Sequence, residues 1–381
     1  MHAILAPSAA HRWVNCPGSV QAEQQYPDSE TESSREGTAA HEIAAELVQR
    51  AARAGGWNWS DFDGKAASNG FVFTEEMFEG AVLYAEDVQK RMRDTGCFSP
   101  KVEQPVTIPR VHDLNWGTPD CVIWDQKNGR LIVWDFKFGR VPVENRENWQ
   151  LIEYAIGSLD AIPGMDGLKD QHITVEMRIV QPRAFHPDGV CREWSIQGSD
   201  LRGFANQLKH SADVSQQENP PCKSGEWCDN CTAARGCMTL QRETARINDR
   251  VETLQLIDLT PEDSAIELRY LQRAQTLLES RLEALEAQAL EQIRGGTVVP
   301  GFGIGYGRGS LAWNKSDAEV IALGDVLGVD LRKAEAPITP TQAKKLNVDE
   351  AVINSYSEKR QGSARLVTDD KTIAGRVFSN S

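Results

Sequence analysis

The stretch that most constrains this chain is residues 117–138, GTPDCVIWDQKNGRLIVWDFKF. Asn128-Gly129 sits between two runs of strand character, and Asn-Gly readily adopts the left-handed turn that joins antiparallel strands. The LIVW run of the second strand is continuously apolar, as expected where both faces of a strand are covered. A sheet sandwiched between helices is therefore expected. Asp120 and Asp135 fall on adjacent strand ends, where two carboxylates can converge on one divalent cation of the Mg²⁺ or Mn²⁺ type. Only one residue separates Asp135 from Lys137, so their side chains share a strand face.

Elements of both kinds surround this hairpin. Ser8 is read as the cap of a short helix over 9–16, which Cys16-Pro17-Gly18 ends. The polar run QQYPDSETESSRE reads as an exposed loop, followed by an Ala- and Leu-rich helix over 38–54 and a second over 75–92. KVEQPVTIP reads as a first strand, 149–159 as a helix and HITVEMRIVQP as a further strand. The sum is an α/β fold, a central mixed β-sheet flanked by helices. Beyond the cysteines, Thr260-Pro261-Glu262-Asp263 opens a long helix ending before Gly295-Gly296. Leu271, Leu278 and Leu285 recur every seven residues along it, as do Leu282 and Ala289, forming an apolar stripe. A strand-like FGIGYGRGSLAW and a small helical region over 315–360 complete a C-terminal accessory region. The expected division is 1–245 and 246–381, in keeping with cores that stop growing at roughly 250–300 residues.

The formal net charge is −14, which argues against a protein that coats nucleic acid by bulk attraction. A nuclease can still be acidic, because carboxylates that hold cations add negative charge and the ion reverses its sign locally. No apolar run approaches the roughly 18 residues of a membrane span, and the N-terminus lacks the pattern of a secretory signal. A cytoplasmic location is expected, with the 8 cysteines as free thiols or metal ligands.

Taken alone, D-x-K is a weak pattern that any strand-end Asp and Lys would produce. Its context is specific. Gly37-Thr38-Ala39-Ala40-His41 places an imidazole near a helix start, and Gln150 and Tyr154 fall at i and i+4 on the helix after Lys137, facing the same way. The ordered set G-x3-H, GTPD, D-x-K and Q-x3-Y resembles the RecB/AddB-like branch of the PD-(D/E)XK nuclease superfamily, which includes phage recombination exonucleases. The likeness covers about the first 240 residues. It implies that His41, Asp120, Asp135 and the backbone carbonyl of Phe136 bind Mg²⁺ or Mn²⁺, that Lys137 acts on the attacking water, and that Gln150 and Tyr154 position the DNA. Asp135 stands where Glu is the commoner residue, which shortens the reach by one methylene and keeps the charge. Glu103, on the first strand, is a further candidate ligand or else a solvated strand-edge acid.

Cys228-x2-Cys231-x5-Cys237 leaves one position open on a tetrahedral or cubane site, and Cys16, before its Pro-Gly turn, suits it. The same branch places one cysteine before its catalytic motifs and three after them, which by resemblance assigns Cys16, Cys228, Cys231 and Cys237 to a [4Fe–4S] cluster. The alternative is a local zinc site in which Cys222 replaces Cys16. Cys97, Cys121 and Cys191 read as small buried apolar residues.

The resemblance implies a DNA exonuclease acting on single strands or duplex ends in phage or mobile-element recombination. A catalytically inactive nuclease scaffold that binds nucleic acid is the alternative. The striped helix suggests a homo-oligomer or a recombination partner docked on the C-terminal region.

Overall fold

The computed structural model describes every residue except 1–2, 27–30, 164–165, 167–168, 170–171, 253–259, 307–310, 334–335, 338, 346–347, 360–363 and 369–381. Two compact units emerge, Met1–Arg281 and Leu282–Ser381.

The first unit is built on the hairpin. Strands β1 (Lys101–Val102), β2 (Val106–Thr107), β3 (Trp116–Gly117), β4 (Cys121–Asp125) and β5 (Arg130–Phe136) are followed by β6 (Thr174–Val180) and β7 (Cys191–Gln197). Five of these form one sheet in the order β1-β4-β5-β6-β7, with β5 and β6 parallel and the other pairs antiparallel. Gly129 makes the β4–β5 turn at φ 60°, a left-handed conformation in which a side chain is strained.

Helices cover both faces. α1 (Ala10–Asn15) and α2 (Ser19–Glu23) lead into α3 (Glu32–Ala52) and α4 (Glu75–Thr95), and α5 (Trp149–Asp160) crosses from β5 to β6. Ile43, Leu47, Tyr84 and Val88 of α3 and α4 pack on Ile123, Ile132, Trp134 and Phe136. On the other face, Leu151 and Ile156 of α5, Leu208 of α6 (Leu201–Ser215) and Trp13 of α1 pack on Leu131, Val133, Met177 and Ile179. Strand alternation then directs Asp135 and Lys137, in phase with Leu131 and Val133, toward α5.

Several boundaries differ from expectation for identifiable reasons. No side-chain bond from Ser8 caps the first helix; a 3₁₀ turn, Pro7–Ala9, precedes α1 instead. α3 begins at Glu32, inside the stretch read as loop, because Thr31 and Ser34 exchange side-chain and backbone hydrogen bonds in a reciprocal cap. The first strand is split, since Glu103 takes φ 48° and diverts the chain, so that β1 pairs with β4 while β2 pairs with β3. β7 and α6 were not expected at all, β7 being an edge strand whose exposed positions are polar. Cys191 is exposed rather than buried, whereas Cys121 is buried and Cys97 half-buried.

A buried charge cluster lies on the α3/α4 face of the sheet, opposite the face that carries Asp135. Glu176, 1% exposed, meets Arg91 at 3.0 Å, Arg178 at 2.6 Å and Arg130, and Arg178 also pairs with Asp87 at 2.7 Å. A buried anion is tolerated only when paired in this way, so the cluster fixes β5, β6 and α4 in one register.

After α7 (Met238–Glu252), the long helix α8 runs over Pro261–Arg294. Ala274 and Leu277 are buried, Ser280 bonds Asp229, and Arg281 donates to the carbonyls of Ala234 and Arg235. Its expected stripe faces solvent, with Leu271, Leu278, Leu282 and Leu285 all exposed.

In the second unit, Phe302–Tyr306 pairs with Ala364–Thr368 and Leu311–Trp313 with Ser357–Lys359, both antiparallel. Residues 307–310 of the expected strand-like stretch lie outside the described residues. The helix Asp317–Leu327 is capped by Ser316 and Glu319 and ends at left-handed Gly328. Val320, Leu331, Ala343, Val348 and Ile353 form its small core. Among the described residues, no helix is long and apolar enough to cross a membrane.

Candidate metal centre

Asp120, at the mouth of β4, is the hub. Its Oδ2 accepts the Phe136 N–H at 2.5 Å, tying the two strand ends, and its Oδ1 lies 3.2 Å from His41 Nδ1. The carbonyl of the same residue accepts the Glu103 N–H at 3.1 Å, so the left-handed kink at Glu103 delivers that carboxyl to Asp120. One ligand atom each from His41, Glu103 and Asp120 lies within 4.8 Å of the others, a group that could hold a metal ion.

Asp135 stands beside this group rather than within it. It is 1% exposed, and Lys137 Nζ lies 2.9 Å from its Oδ2 without hydrogen-bond alignment, which leaves that buried oxygen without a hydrogen-bond partner. Lys137 Nζ donates instead to Gln150 Oε1 at 2.8 Å, and Gln150 Nε2 donates to the Tyr154 hydroxyl at 3.3 Å. The sequence-expected residues His41, Glu103, Asp120, Asp135, Lys137, Gln150 and Tyr154 thus lie in one connected cluster. Phe136 joins it through its N–H. Gly117 explains part of the GTPD pattern: a Cβ there would lie 2.8 Å from Pro7 Cγ and 2.9 Å from Tyr154 Cε1.

The electrostatics are those of acids crowded together. Burial raises Asp135 above the usual carboxylate range, with the Lys137 charge opposing and the Asp120 charge adding. Glu103 is exposed as a whole residue, yet desolvation of its carboxyl, followed by the Asp120 charge, raises it to about 7. Desolvation works against a charged His41, but the Asp120 charge and hydrogen bond outweigh it and lift the imidazole to about 8. Three carboxyls beside one histidine and one lysine leave excess negative charge, which a divalent cation would neutralise.

Sequence reading missed Glu153, beside Tyr154 on α5. It is fully buried, and Asn115 Nδ2 donates to its Oε2 at 3.1 Å, while Glu153 Oε1 and Asn115 Oδ1 lack partners. Burial, opposed by the Asn115 bond, pushes its carboxyl well above the unperturbed 4.5. The native state therefore keeps this proton after the unfolded chain has released it. Glu153 accordingly costs stability as pH rises above the unfolded value, by about 1.4 kcal/mol for each pH unit until the native carboxyl itself ionises. Glu153→Gln, able to pair with both Asn115 atoms, is expected to raise the melting temperature at pH 8 and to lose that advantage near pH 4. Thermal denaturation at the two pH values checks this, and a variant less stable than wild type at pH 8 contradicts it.

The cysteines gather in a second place. Cys16, Cys222, Cys228, Cys231 and Cys237 all line one pocket with Ala22, Ala233 and Leu240. Cys222 hydrogen-bonds both Cys16 and Cys237; this lowers Cys16 to about 7 and Cys237 to about 6, and raises Cys222. Lys223 N–H also donates to Cys16 Sγ at 3.3 Å. Cys16 and Cys222 thus both line the site. Polar stitches close the same junction: Gly18 N–H donates to the Pro221 carbonyl at 3.0 Å, Arg12 to the Asn230 carbonyl at 2.8 Å, and Thr232 N–H to Glu23 at 3.0 Å.

Fold and site together define a mixed α/β core with an acid-histidine group able to take a metal at the ends of its central strands. Residues 2–372 match the model of DUF2800, described as a protein of unknown function, and the chain belongs to that family. Among solved structures it is similar to a candidate exonuclease from Eubacterium rectale, with 10% identity, TM-score 0.33, and coverage of 67% of this chain and 90% of that one. It is also similar to SSO0001, with 12% identity, TM-score 0.23, and coverage of 58% and 95% respectively. Both superpositions fall below the level at which two chains share an overall fold.

Proposed function

We propose that this protein is a metal-dependent DNA nuclease of the PD-(D/E)XK type, an exonuclease of the RecB/AddB-like branch acting in phage or mobile-element recombination. The observation that carries the reading is the convergence of His41, Glu103 and Asp120 within 4.8 Å, next to a buried Asp135 that is ion-paired with Lys137 at 2.9 Å. Several acids buried this close together are costly unless cations compensate them, and Lys137 supplies only one positive charge. His41, Glu103, Asp120 and Asp135, with the Phe136 carbonyl, would hold Mg²⁺ or Mn²⁺, hard cations suited to oxygen ligands. Such an ion polarises a phosphoryl oxygen and lowers the pKa of water.

The remaining roles belong to the chain's own groups. Lys137, held by Gln150 beside Asp135, presents an ammonium that orients the attacking water and balances charge on the phosphate. Gln150 fixes that ammonium through one amide atom and the Tyr154 hydroxyl through the other, so both steer the DNA backbone. α3 and α4 wall off the His41 side, where His41 packs edge-on to Phe136 with ring centroids 5.4 Å apart. Cys16, Cys228, Cys231 and Cys237 would hold a [4Fe–4S] cluster; their shared pocket suits thiolate ligation, with zinc as the alternative occupant.

Calorimetric titration of the metal-free protein with Mn²⁺, paired with a DNA hydrolysis assay, tests the reading. Divalent uptake and hydrolysis that EDTA stops are the expected results. DNA binding without divalent uptake would instead identify a scaffold that keeps the fold and has lost the chemistry.

A further inference from the structure

Two loops leave the catalytic edge of the sheet together, because β5 and β6 run parallel and end side by side at Phe136 and Val180. One covers 137–148 and the other 181–190. A buried amide joins them. Gln181 is 0% exposed; its Nε2 donates to the carbonyls of Gly139 at 3.0 Å and Val141 at 2.8 Å, and its Oε1 accepts from Val143 N–H at 3.0 Å and from Arg192 at 3.0 Å. Arg192, 2% exposed, also donates to the Val143 carbonyl at 2.8 Å. All four hydrogen-bonding positions of this glutamine are thus spent, three of them on the 137–148 loop and one on Arg192 of β7.

The root of the second loop lies next to the candidate centre. The Arg183 guanidinium sits 4.5 Å above the Phe138 ring, one residue from Lys137, and it pairs with Glu36 and Glu76. Pro182 fills the space over Gly80. What these loops carry outward is apolar: Phe185 is 88% exposed and Val141 78% exposed. Solitary exposed apolar residues are common, but this phenyl ring stands on a loop rooted at the buried Gln181 and tied to the first loop by the His186–Glu144 contact at 3.3 Å. Arg140 and Arg146, both exposed, lie on the same loop as Val141, Arg140 3.8 Å from Glu76, while Glu144 is engaged by His186. Exposed cations on the loop adjoining an exposed aromatic are a combination that suits single-stranded nucleic acid, with phosphates on the former and a base on the latter.

We infer that Phe185, with Val141 on the adjoining loop, is a stacking platform for an unpaired nucleobase, so that the strand entering the centre is single-stranded DNA. This rests on the nuclease reading and specifies its substrate. A duplex would keep its bases stacked inside and offer the ring none. Two projecting side chains also form no concave apolar surface of the size a protein partner requires.

Binding of the full-length protein in EDTA to a labelled oligothymidylate, an abasic strand and a blunt duplex of equal length separates the possibilities. Phe185→Ala is expected to weaken single-strand binding about 5- to 150-fold, the range for loss of one base–aromatic stack. Phe185→Trp should restore it, and the abasic strand should bind wild type and Phe185→Ala alike. The ring packs against no core, so folding is not at stake. Unchanged affinity of Phe185→Ala, or equal weakening on strand and duplex, overturns the platform. Mn²⁺-supported hydrolysis of the same strand reports on the nuclease reading separately, so tip-dependent binding without hydrolysis would sink that reading and leave the platform standing. A wild-type protein that binds no DNA overturns both.

Discussion

Replacing Asp120 by asparagine is expected to reduce Mg²⁺- or Mn²⁺-supported DNA hydrolysis by about 10³-fold or more while leaving the fold in place. The substitution separates two jobs that this carboxylate performs. As an acceptor it fixes the Phe136 N–H at 2.5 Å and so holds the ends of β4 and β5 together, a task the asparagine carbonyl can continue. As a charge it raises His41 and helps form the group with Glu103, and that contribution disappears. Lys137→Ala should be nearly as damaging to hydrolysis, because it removes the ammonium that Gln150 positions beside Asp135. Initial rates on a labelled strand, with circular dichroism and melting temperature as the check on folding, give the comparison. Full activity in both variants would end the nuclease interpretation.

The parts of this centre that could be read from sequence are those whose chemistry and spacing coincide. Asp120, the Asn128-Gly129 turn and Asp135 lie on one hairpin, so strand period and turn type alone bring the two acids to the same end. Gln150 and Tyr154 were legible because four residues on a helix define one face. Glu103 was placed on a strand by its neighbours, but its reach toward Asp120 depends on a left-handed backbone that non-glycine residues seldom adopt and that no local pattern announces.

Glu153 was invisible for a different reason. α5 is buried from Leu151 through Leu159, so it lacks the polar face against which a buried acid would stand out. The start of α3 was hidden by composition, since ESSREG looks like a loop until Thr31 and Ser34 are seen to satisfy the first turn. Long-range pairing accounts for the rest. The meeting of Glu176 with Arg91, Arg130 and Arg178 joins residues up to 85 positions apart, as Arg91 and Glu176 show, and sequence spacing carries no information about it.

The cysteine pocket sets the second large effect. A cluster held by Cys16 and Cys237 would close nearly the whole first unit into one loop of more than 200 residues. By the chain-entropy relation for cross-links, such a closure is worth on the order of 5 kcal/mol, comparable with the stability of a whole domain. For a unit of this size, about 1 kcal/mol moves the melting temperature by about 2–4 °C, so Cys237→Ala is expected to lower it by about 10–20 °C. The hydrogen bonds that stitch Arg12, Gly18 and Glu23 to 221–232 remain in that variant, which is why partial folding rather than collapse is expected. Cys222 makes the experiment discriminating. If the four ligands are Cys16, Cys228, Cys231 and Cys237, then Cys222→Ser loses only a thiol hydrogen-bonded to two of them, and oxygen-protected protein should keep a brown colour with absorbance near about 400 nm. If Cys222 replaces one of the four, the colour and the stability should fall together in Cys222→Ser and survive in the variant of the cysteine it displaces. A colourless wild-type protein carrying one zinc ion would dismiss the iron–sulfur assignment; the entropic argument would then hold only if Cys16→Ser loses the zinc, because an ion held by Cys222, Cys228, Cys231 and Cys237 closes only a short local loop.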